Sequence, residues 1–290
     1  MKELTYADRD AVLRVALPLS FAGEDQARIE EVKETVLKAV PGIADKAHQR
    51  IIREREALVE PRRQITSMAG CWVEAISREE AEAIILRYEW LGTLGRAVAT
   101  YGLRGPGGEL LGTAVFGWPS AVESRDICGK ENRELAICLE RGACVHFAPP
   151  NAASFLISHA LKLAAKDRGW RIFYAYADPE AGEIGTVYQA TNWLYIGQGV
   201  GRTPGRLRED WRLPDGTELS SRSLRHKKMK RADALALGWK PVYKHPKHKY
   251  VKFEGSKTER AALARALRYP PRPYPKRDLP AAERMAEETA

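Results

Sequence analysis

The sequence has no long hydrophobic run. Its apolar stretches, such as Ala83–Leu86 and Phe155–Ile157, fall far short of the roughly 18 residues that a membrane-spanning helix needs. Residues 1–10 alternate charges where a secretion signal would carry an apolar segment, so a cytoplasmic protein with no membrane partner is expected. Cysteine is scarce: four residues (Cys71, Cys128, Cys138 and Cys144), with neither the density of a disulfide scaffold nor a CxxC pair. They are read as reduced thiols. Cys144 and His146 share a strand face near Cys138, but that spacing matches no zinc pattern. There is no internal repeat.

What is present is enough for a sizeable core. Hydrophobic residues make up 44% and charged residues 29% of 290, the balance of a folded chain rather than a disordered one. The formal charge is +9, and its placement matters more than its size. Residues 201–280 hold 22 Lys and Arg against 8 Asp and Glu, so the rest of the chain is net negative. A polyanion-binding surface is therefore expected in the C-terminal third.

Residues 1–66 read as a helical extension, with Ile29, Val32, Val36 and Leu37 at helical spacing between breakers at Gly23 and Pro41-Gly42. A second helix, residues 43–58, either packs on the body or touches DNA through its basic end, and packing is favoured. From residue 67 to 256 the pattern changes to alternating strands and helices, an α/β (α+β) domain with a mixed sheet flanked by helices. Residues 71–76 read as a strand. Residues 77–88 read as a helix that Ser77 caps with Glu80 three positions on. Residues 98–103 and 110–117 form a hairpin around Gly105-Pro106-Gly107-Gly108.

A strand at 135–147 breaks at Pro149-Pro150-Asn151 and feeds a helix at 152–167, followed by a strand at 170–178, a helix at 183–191 and a short strand at 193–196. A charged helix at 223–237 and a strand at 249–253 close the sheet. Residues 257–290 read as a helix and a mobile Pro/Arg-rich tail, because 269–277 is crowded with prolines and cations.

The strand, loop and helix over 141–169 carry the most chemistry. A helix N-terminus presents unpaired amides, which bind anions readily. Asn151 is the candidate N-cap, with Ala153 and Ser154 in the first turn, although Asn151 and Ser154 could equally do no more than cap. Arg141 lies in an apolar strand, where a cation needs a partner or a cavity, and Glu140 is the nearest carboxylate in sequence. Asp178 ends a strand at the sheet's carboxyl edge, where such folds gather their ligands. It is either an acid that orients or deprotonates a substrate or a cap and loop ion pair. Tyr188 follows on the next helix. Arg225, Lys227, Lys228, Lys230, Arg231, Lys247 and Lys249 are candidate phosphate contacts, against the alternative of a merely solvated face.

The order of elements resembles the GNAT acyltransferase fold. More narrowly, Tyr88-Glu89-Trp90-Leu91-Gly92, Arg141-Gly142-Ala143-Cys144, residues 149–154 and residues 176–190 resemble the Mom DNA-modification proteins of Mu-like phages, over roughly residues 71–253. The resemblance implies conversion of adenine in double-stranded DNA to an N6-carbamoylmethyl derivative in the bacterial host, so that restriction enzymes fail to cut. It carries over Arg141, Ser154, Asp178 and Tyr188 as functional residues and implies a small-molecule donor, either acetyl-CoA or another activated glycine-derived unit. Iron is also implied, with Tyr88, Glu89 and Asp178 as candidate ligands, although no histidine stands beside Tyr88. The Gly-rich loop that cradles coenzyme A in GNAT enzymes is replaced by Pro149-Pro150-Asn151-Ala152-Ala153-Ser154. Two other readings are a general GNAT acyltransferase acting on another amine and a DNA-binding protein without catalysis.

Overall fold

A computed structural model describes residues 48–59, 62–118, 122–199, 207–221, 224 and 227–276. Most of the expected N-terminal extension, together with Arg225, lies outside these residues. The described helix α1 (His48–Val59) packs rather than projecting. Ile52 is buried, Glu56 pairs with Arg87 at 2.5 Å, and Gln49 donates to the Gly142 carbonyl at 2.7 Å. No helix among the described residues is long and apolar enough to cross a membrane.

The body is a seven-stranded mixed sheet in the order β1-β2-β3-β4-β5-β10-β6, flanked by helices as expected. Its strands are β1 (Trp72–Ala75), β2 (Ala97–Arg104), β3 (Leu110–Gly117), β4 (Ala136–Cys144), β5 (Ile172–Ala177), β6 (Leu194–Gln198) and β10 (His248–Phe253). Helix α2 (Arg78–Tyr88) starts at the expected capping box: Ser77 Oγ accepts from the Glu80 amide while the Glu80 carboxylate accepts from the Ser77 amide. Helix α3 (Ala152–Arg168) follows β4. Side chains alternate across the sheet. Phe173 and Ala175 enter a core with Tyr101, Phe116, Leu156 and Leu161. Ile172 and Tyr174 face the other way, onto Ile127, Val251 and Leu263, the last from α6 (Lys257–Ala266). Each such side chain fully removed from water contributes about 1.5–3 kcal/mol.

Three expectations change. The helix read over 183–191 shrinks to α4 (Thr186–Ala190), because Gly182 and Gly185 take left-handed φ values of 69° and 77° that interrupt a longer helix. The charged helix read over 223–237 is interrupted: Leu224 is helical, Lys228 is left-handed, and α5 (Arg231–Ala236) follows it. It belongs to an unforeseen second sheet, ordered β8-β7-β9, formed by β7 (Arg208–Arg212), β8 (Glu218–Ser220) and β9 (Lys240–Lys244) around Trp211, Leu224, Ala234 and Trp239. The tail expected to be mobile is extended but held through residue 276. Arg272 N–H donates to the Tyr195 carbonyl at 2.7 Å, Tyr274 Oη donates to the Trp193 carbonyl at 2.7 Å, and Gln189 donates to the Pro275 carbonyl. The Arg272 bond satisfies part of the open edge of β6, which would otherwise present an unpaired carbonyl, and the Tyr274 bond holds the residue just ahead of that strand.

Candidate functional site

The site is set by where two parallel strands separate. β4 and β5 pair only from Ala136↔Ile172 to Leu139↔Ala175. Beyond that point β4 stays on β3 as far as Cys144↔Gly112, while β5 stays on β10 to Ala177↔His248. The two carboxyl ends therefore part. Arg141 stands on one side of the opening and Asp178 on the other. Helix α3 leaves from the β4 side and touches α4, which carries Tyr188. Arg141, Asn151, Ser154, Asp178 and Tyr188 thus belong to one end of the sheet.

Asp178 is buried and held from two directions. Its Oδ1 caps the turn Pro179–Ala181 by accepting from the Glu180 amide, and its Oδ2 pairs with Lys247 Nζ at 2.9 Å, with Arg208 farther off at 3.8 Å. The cap and the ion pair weighed against a chemical role for Asp178 are both present. Lys247, expected on a phosphate, is occupied at this carboxylate.

Arg141 does not pair with the Glu140 carboxylate. Its guanidinium donates to the carbonyls of Thr93 and Glu140, and its nearest carboxylate is Glu89 at 3.8 Å. Glu89 is buried and accepts from the Leu91 amide at 2.9 Å. Burial pushes its carboxyl up, while Arg141 and the Leu91 and Gly92 amides pull it back.

Tyr188 packs on Trp193 and Tyr250 at ring separations of 5.1 and 5.3 Å. Burial raises its phenol, helped by the negative charge of Glu183, so it stays a proton-bearing group. Tyr250 Oη, by contrast, is tied to the Ile184 carbonyl and to Gln189. Glu183, to which the sequence reading assigned no role, lies in the loop between Asp178 and Tyr188. It is half-buried. Desolvation, opposed by a bond from the Asp178 amide and reinforced by Glu89 and Asp178, pushes it up to about 7. The available signal was an acid flanked by apolar and glycine residues in Gly182-Glu183-Ile184-Gly185.

Asn151 occupies the N-cap position of α3 in a left-handed conformation (φ 64°), but its side chain makes no capping bond. Ser154 Oγ donates back to the Asn151 carbonyl at 2.9 Å, which leaves its lone pairs free to accept. Ala153 and Ser154 are half-buried in the first turn of α3, whose amides have no intrahelical acceptor and which no Gly-rich loop precedes.

Iron does not fit. Tyr88 Oη bonds His146 Nδ1 at 3.0 Å, Glu89 faces Arg141, and Asp178 faces Lys247. No group of three His, Cys, Asp or Glu side chains among the described residues could hold a metal ion. A cavity of about 490 Å³ lined by Arg78, Tyr101, Asp167 and Arg168 lies at the far end of α3, roughly 25 Å along its 17 residues, and holds none of the candidates.

The cations divide by depth. Lys227, Lys228, Lys230 and Arg231 are exposed beside the small sheet, Arg231 also pairing with Glu209 and lying over Trp211. Lys249 cannot be a surface phosphate contact. It is 6% exposed, donates to the Ser124 carbonyl at 3.0 Å and lies over the rings of Tyr174 and Tyr176. The reason is position: β10 runs inside the sheet between β5 and β6.

The fold and site define a mixed α/β protein with an opening where two parallel strands part. The model of the Mom protein family matches residues 71–276, and the chain belongs to that family. No curated protein matches the sequence. Solved structures similar to it include a spermidine N-acetyltransferase from Vibrio cholerae, 9% identical over 64% of this chain and 94% of that one, with a TM-score of 0.36. A GNAT family acetyltransferase from Elizabethkingia anophelis with acetyl-CoA bound is 8% identical over 64% and 99%, also at 0.36. An N-acetyltransferase from Staphylococcus aureus Mu50 is 15% identical over 64% and 99%, at 0.33. These overlays are loose.

Proposed function

We propose that the protein is a transferase that converts the N6 amine of adenine in double-stranded DNA to a carbamoylmethyl derivative, protecting that DNA from restriction. Family membership supports DNA as the substrate. The observation that carries the reading is the meeting of Arg141, Asp178, Glu183 and Tyr188 where β4 and β5 part, with the exposed cations of the small sheet in the segment that supplies Arg208 and Lys247 to Asp178.

The adenine N6 lone pair is delocalised into the ring, so attack needs a base, a held donor and a site shielded from water. A stacked adenine must first swing out of the duplex, at a cost of about a few kcal/mol that pocket contacts and backbone neutralisation offset. Lys227, Lys228, Lys230 and Arg231 supply the neutralisation. The amides of Ala153 and Ser154, with Arg141, hold an anionic donor, which when bound supplies the electrophilic carbon. Asp178, fixed by Lys247, frames the acceptor, and the Tyr188 hydroxyl orients the leaving group.

DNA from cells expressing the protein, digested with adenine-sensitive restriction enzymes and then analysed as nucleosides by mass spectrometry, tests this. Resistance together with an N6-carbamoylmethyl adenine mass is expected. An unmodified nucleoside pool would end the reading, and an acylated small amine in the same extracts would put a general acyltransferase in its place.

A further inference from the structure

Tyr188, whose hydroxyl orients the leaving group in the reaction proposed above, is held by ring packing. That hydroxyl has no hydrogen-bond partner among the described residues, and the ring rests on Trp193 at 5.1 Å and on Tyr250 at 5.3 Å. Its helix, α4, is a single turn of five residues, too short to hold its own place. Where the hydroxyl points therefore depends on what fixes Trp193, Tyr250 and α4.

The Gln189 side chain ties these parts together. Its Nε2 donates to the Ile184 carbonyl at 3.1 Å, to Tyr250 Oη at 3.2 Å and to the Pro275 carbonyl at 3.3 Å. An amide nitrogen has two hydrogens, so the three acceptors share them. Tyr250 Oη in turn donates to the same Ile184 carbonyl. One amide thus joins the approach to α4, a ring on β10 and the extended tail. The tail also reaches the other ring's backbone: Tyr274 Oη donates to the Trp193 carbonyl at 2.7 Å, and the Tyr274 ring lies 6.4 Å from that of Tyr250. Four prolines among residues 270–275 restrict the tail before it docks, which lowers the entropy lost on holding it there.

We propose that Gln189 is a positioning residue for Tyr188, acting with Tyr250 and with Tyr274 and Pro275 of the tail; this rests on the adenine reading above and on the role given there to Tyr188. Gln189 is half-buried, and each bond from its amide nitrogen goes to the chain itself, so its effect on the reaction passes through α4 and the Tyr250 ring. A misplacement of about 1 Å at a group that meets the reacting atoms costs up to about 100-fold in rate, while binding made elsewhere is unaltered.

The test uses the full chain with duplex DNA and bacterial cell extract as the source of donor, reading N6-carbamoylmethyl adenine by mass spectrometry of nucleosides. Wild type, Gln189→Met, Tyr188→Phe and the double variant form a cycle. Gln189→Met keeps an unbranched side chain of the same length and removes its amide. Each single change should lower kcat about tenfold or more, with KM for DNA within about twofold. In the Tyr188→Phe background, Gln189→Met should lower kcat by less than about twofold further, because a hydroxyl that is gone cannot be misplaced. A residue that only stabilised the fold would cost the same fraction in both backgrounds. Tyr250→Phe, which keeps the ring and loses the bonds at its oxygen, should behave as Gln189→Met does.

A folded Gln189→Met protein with kcat within about twofold of wild type would overturn the proposal, and so would an equal loss in both backgrounds. Should Gln189→Met fail to fold, Tyr250→Phe taken through the same cycle overturns or upholds it by the same two results. Tyr188→Phe with wild-type turnover would overturn it by leaving no hydroxyl to position, with the adenine reading still standing. A wild-type protein that leaves adenine unmodified ends the adenine reading itself, and the assignment with it.

Discussion

Replacing Lys249 with methionine should stabilise the protein and leave DNA binding untouched, although the residue sits in one of the most basic stretches of the chain. Burial lowers its ammonium from 10.5 to about 8. At about 1.4 kcal/mol per pH unit, that fall is a penalty of roughly 3 kcal/mol for carrying the charge at neutral pH. Methionine removes the penalty and keeps an unbranched apolar chain between Tyr174 and Tyr176, but it forfeits the bond to the Ser124 carbonyl, about 1 kcal/mol, and two cation–π contacts of about 0.5 kcal/mol each. The net expectation is a gain of about 1 kcal/mol at pH 7, or a few degrees in the melting midpoint.

The sign with pH follows from proton counting. Between about 8 and 10.5 the unfolded chain binds more protons at this site than the folded one, so this lysine's destabilisation is complete below about 8 and disappears as pH rises toward 10.5. The advantage of Lys249→Met should therefore shrink over that window. Urea melts at pH 7 and pH 9.5, with DNA retention in parallel, measure both parts. A loss of more than 2 kcal/mol, or weakened DNA binding by a folded variant, would refute the reasoning.

Other consequences can be checked directly. Gly185→Ala puts a Cβ 2.4 Å from the Tyr250 ring and 3.0 Å from that of Tyr188 on a left-handed backbone; a loss of about 2–4 kcal/mol with a larger fall in turnover is expected, and a melt unchanged within 0.5 kcal/mol would contradict it. Changing Lys227, Lys228 and Lys230 together to alanine should weaken duplex binding and lower the slope of log affinity against log salt by up to about 2.7, with the fold intact by circular dichroism; an unchanged slope would remove the small sheet from the DNA interface. Tyr274→Phe should cost about 1 kcal/mol in denaturant melts by losing the bond to the Trp193 carbonyl, and a neutral result would mean that the tail does not hold the β6 edge.

Signals that act over a few residues were readable from the chain. Ser77 with Glu80 marked the start of α2, Gly105–Gly108 marked a hairpin, and Pro149-Pro150-Asn151 marked the hand-over from β4 to α3. What depended on distant partners was not. β7 reads Arg-Glu-Asp-Trp-Arg and is too charged to look like a strand, until pairing with β8 and β9 buries Trp211. Lys247 and Lys249 look alike in a row of cations. Only the insertion of β10 between β5 and β6 gives one an aspartate 69 positions away and the other two tyrosine faces. For Glu183, the sequence showed the residue but not that Lys247, the cation acting on it, is paired with Asp178.

The segment that carries the small sheet begins and ends at neighbouring points of the body. β6 and β10 lie side by side, and Gly199 N–H donates to the Lys247 carbonyl at 3.1 Å where the segment closes. An insertion whose ends are already joined can be lengthened, shortened or exchanged at little entropic cost to the sheet around it. Because this one also carries Arg208 and Lys247 to Asp178, exchanging it would change the surroundings of that carboxylate together with the exposed cations, so that under the function proposed above a change of target and a change of rate would be inherited as one event.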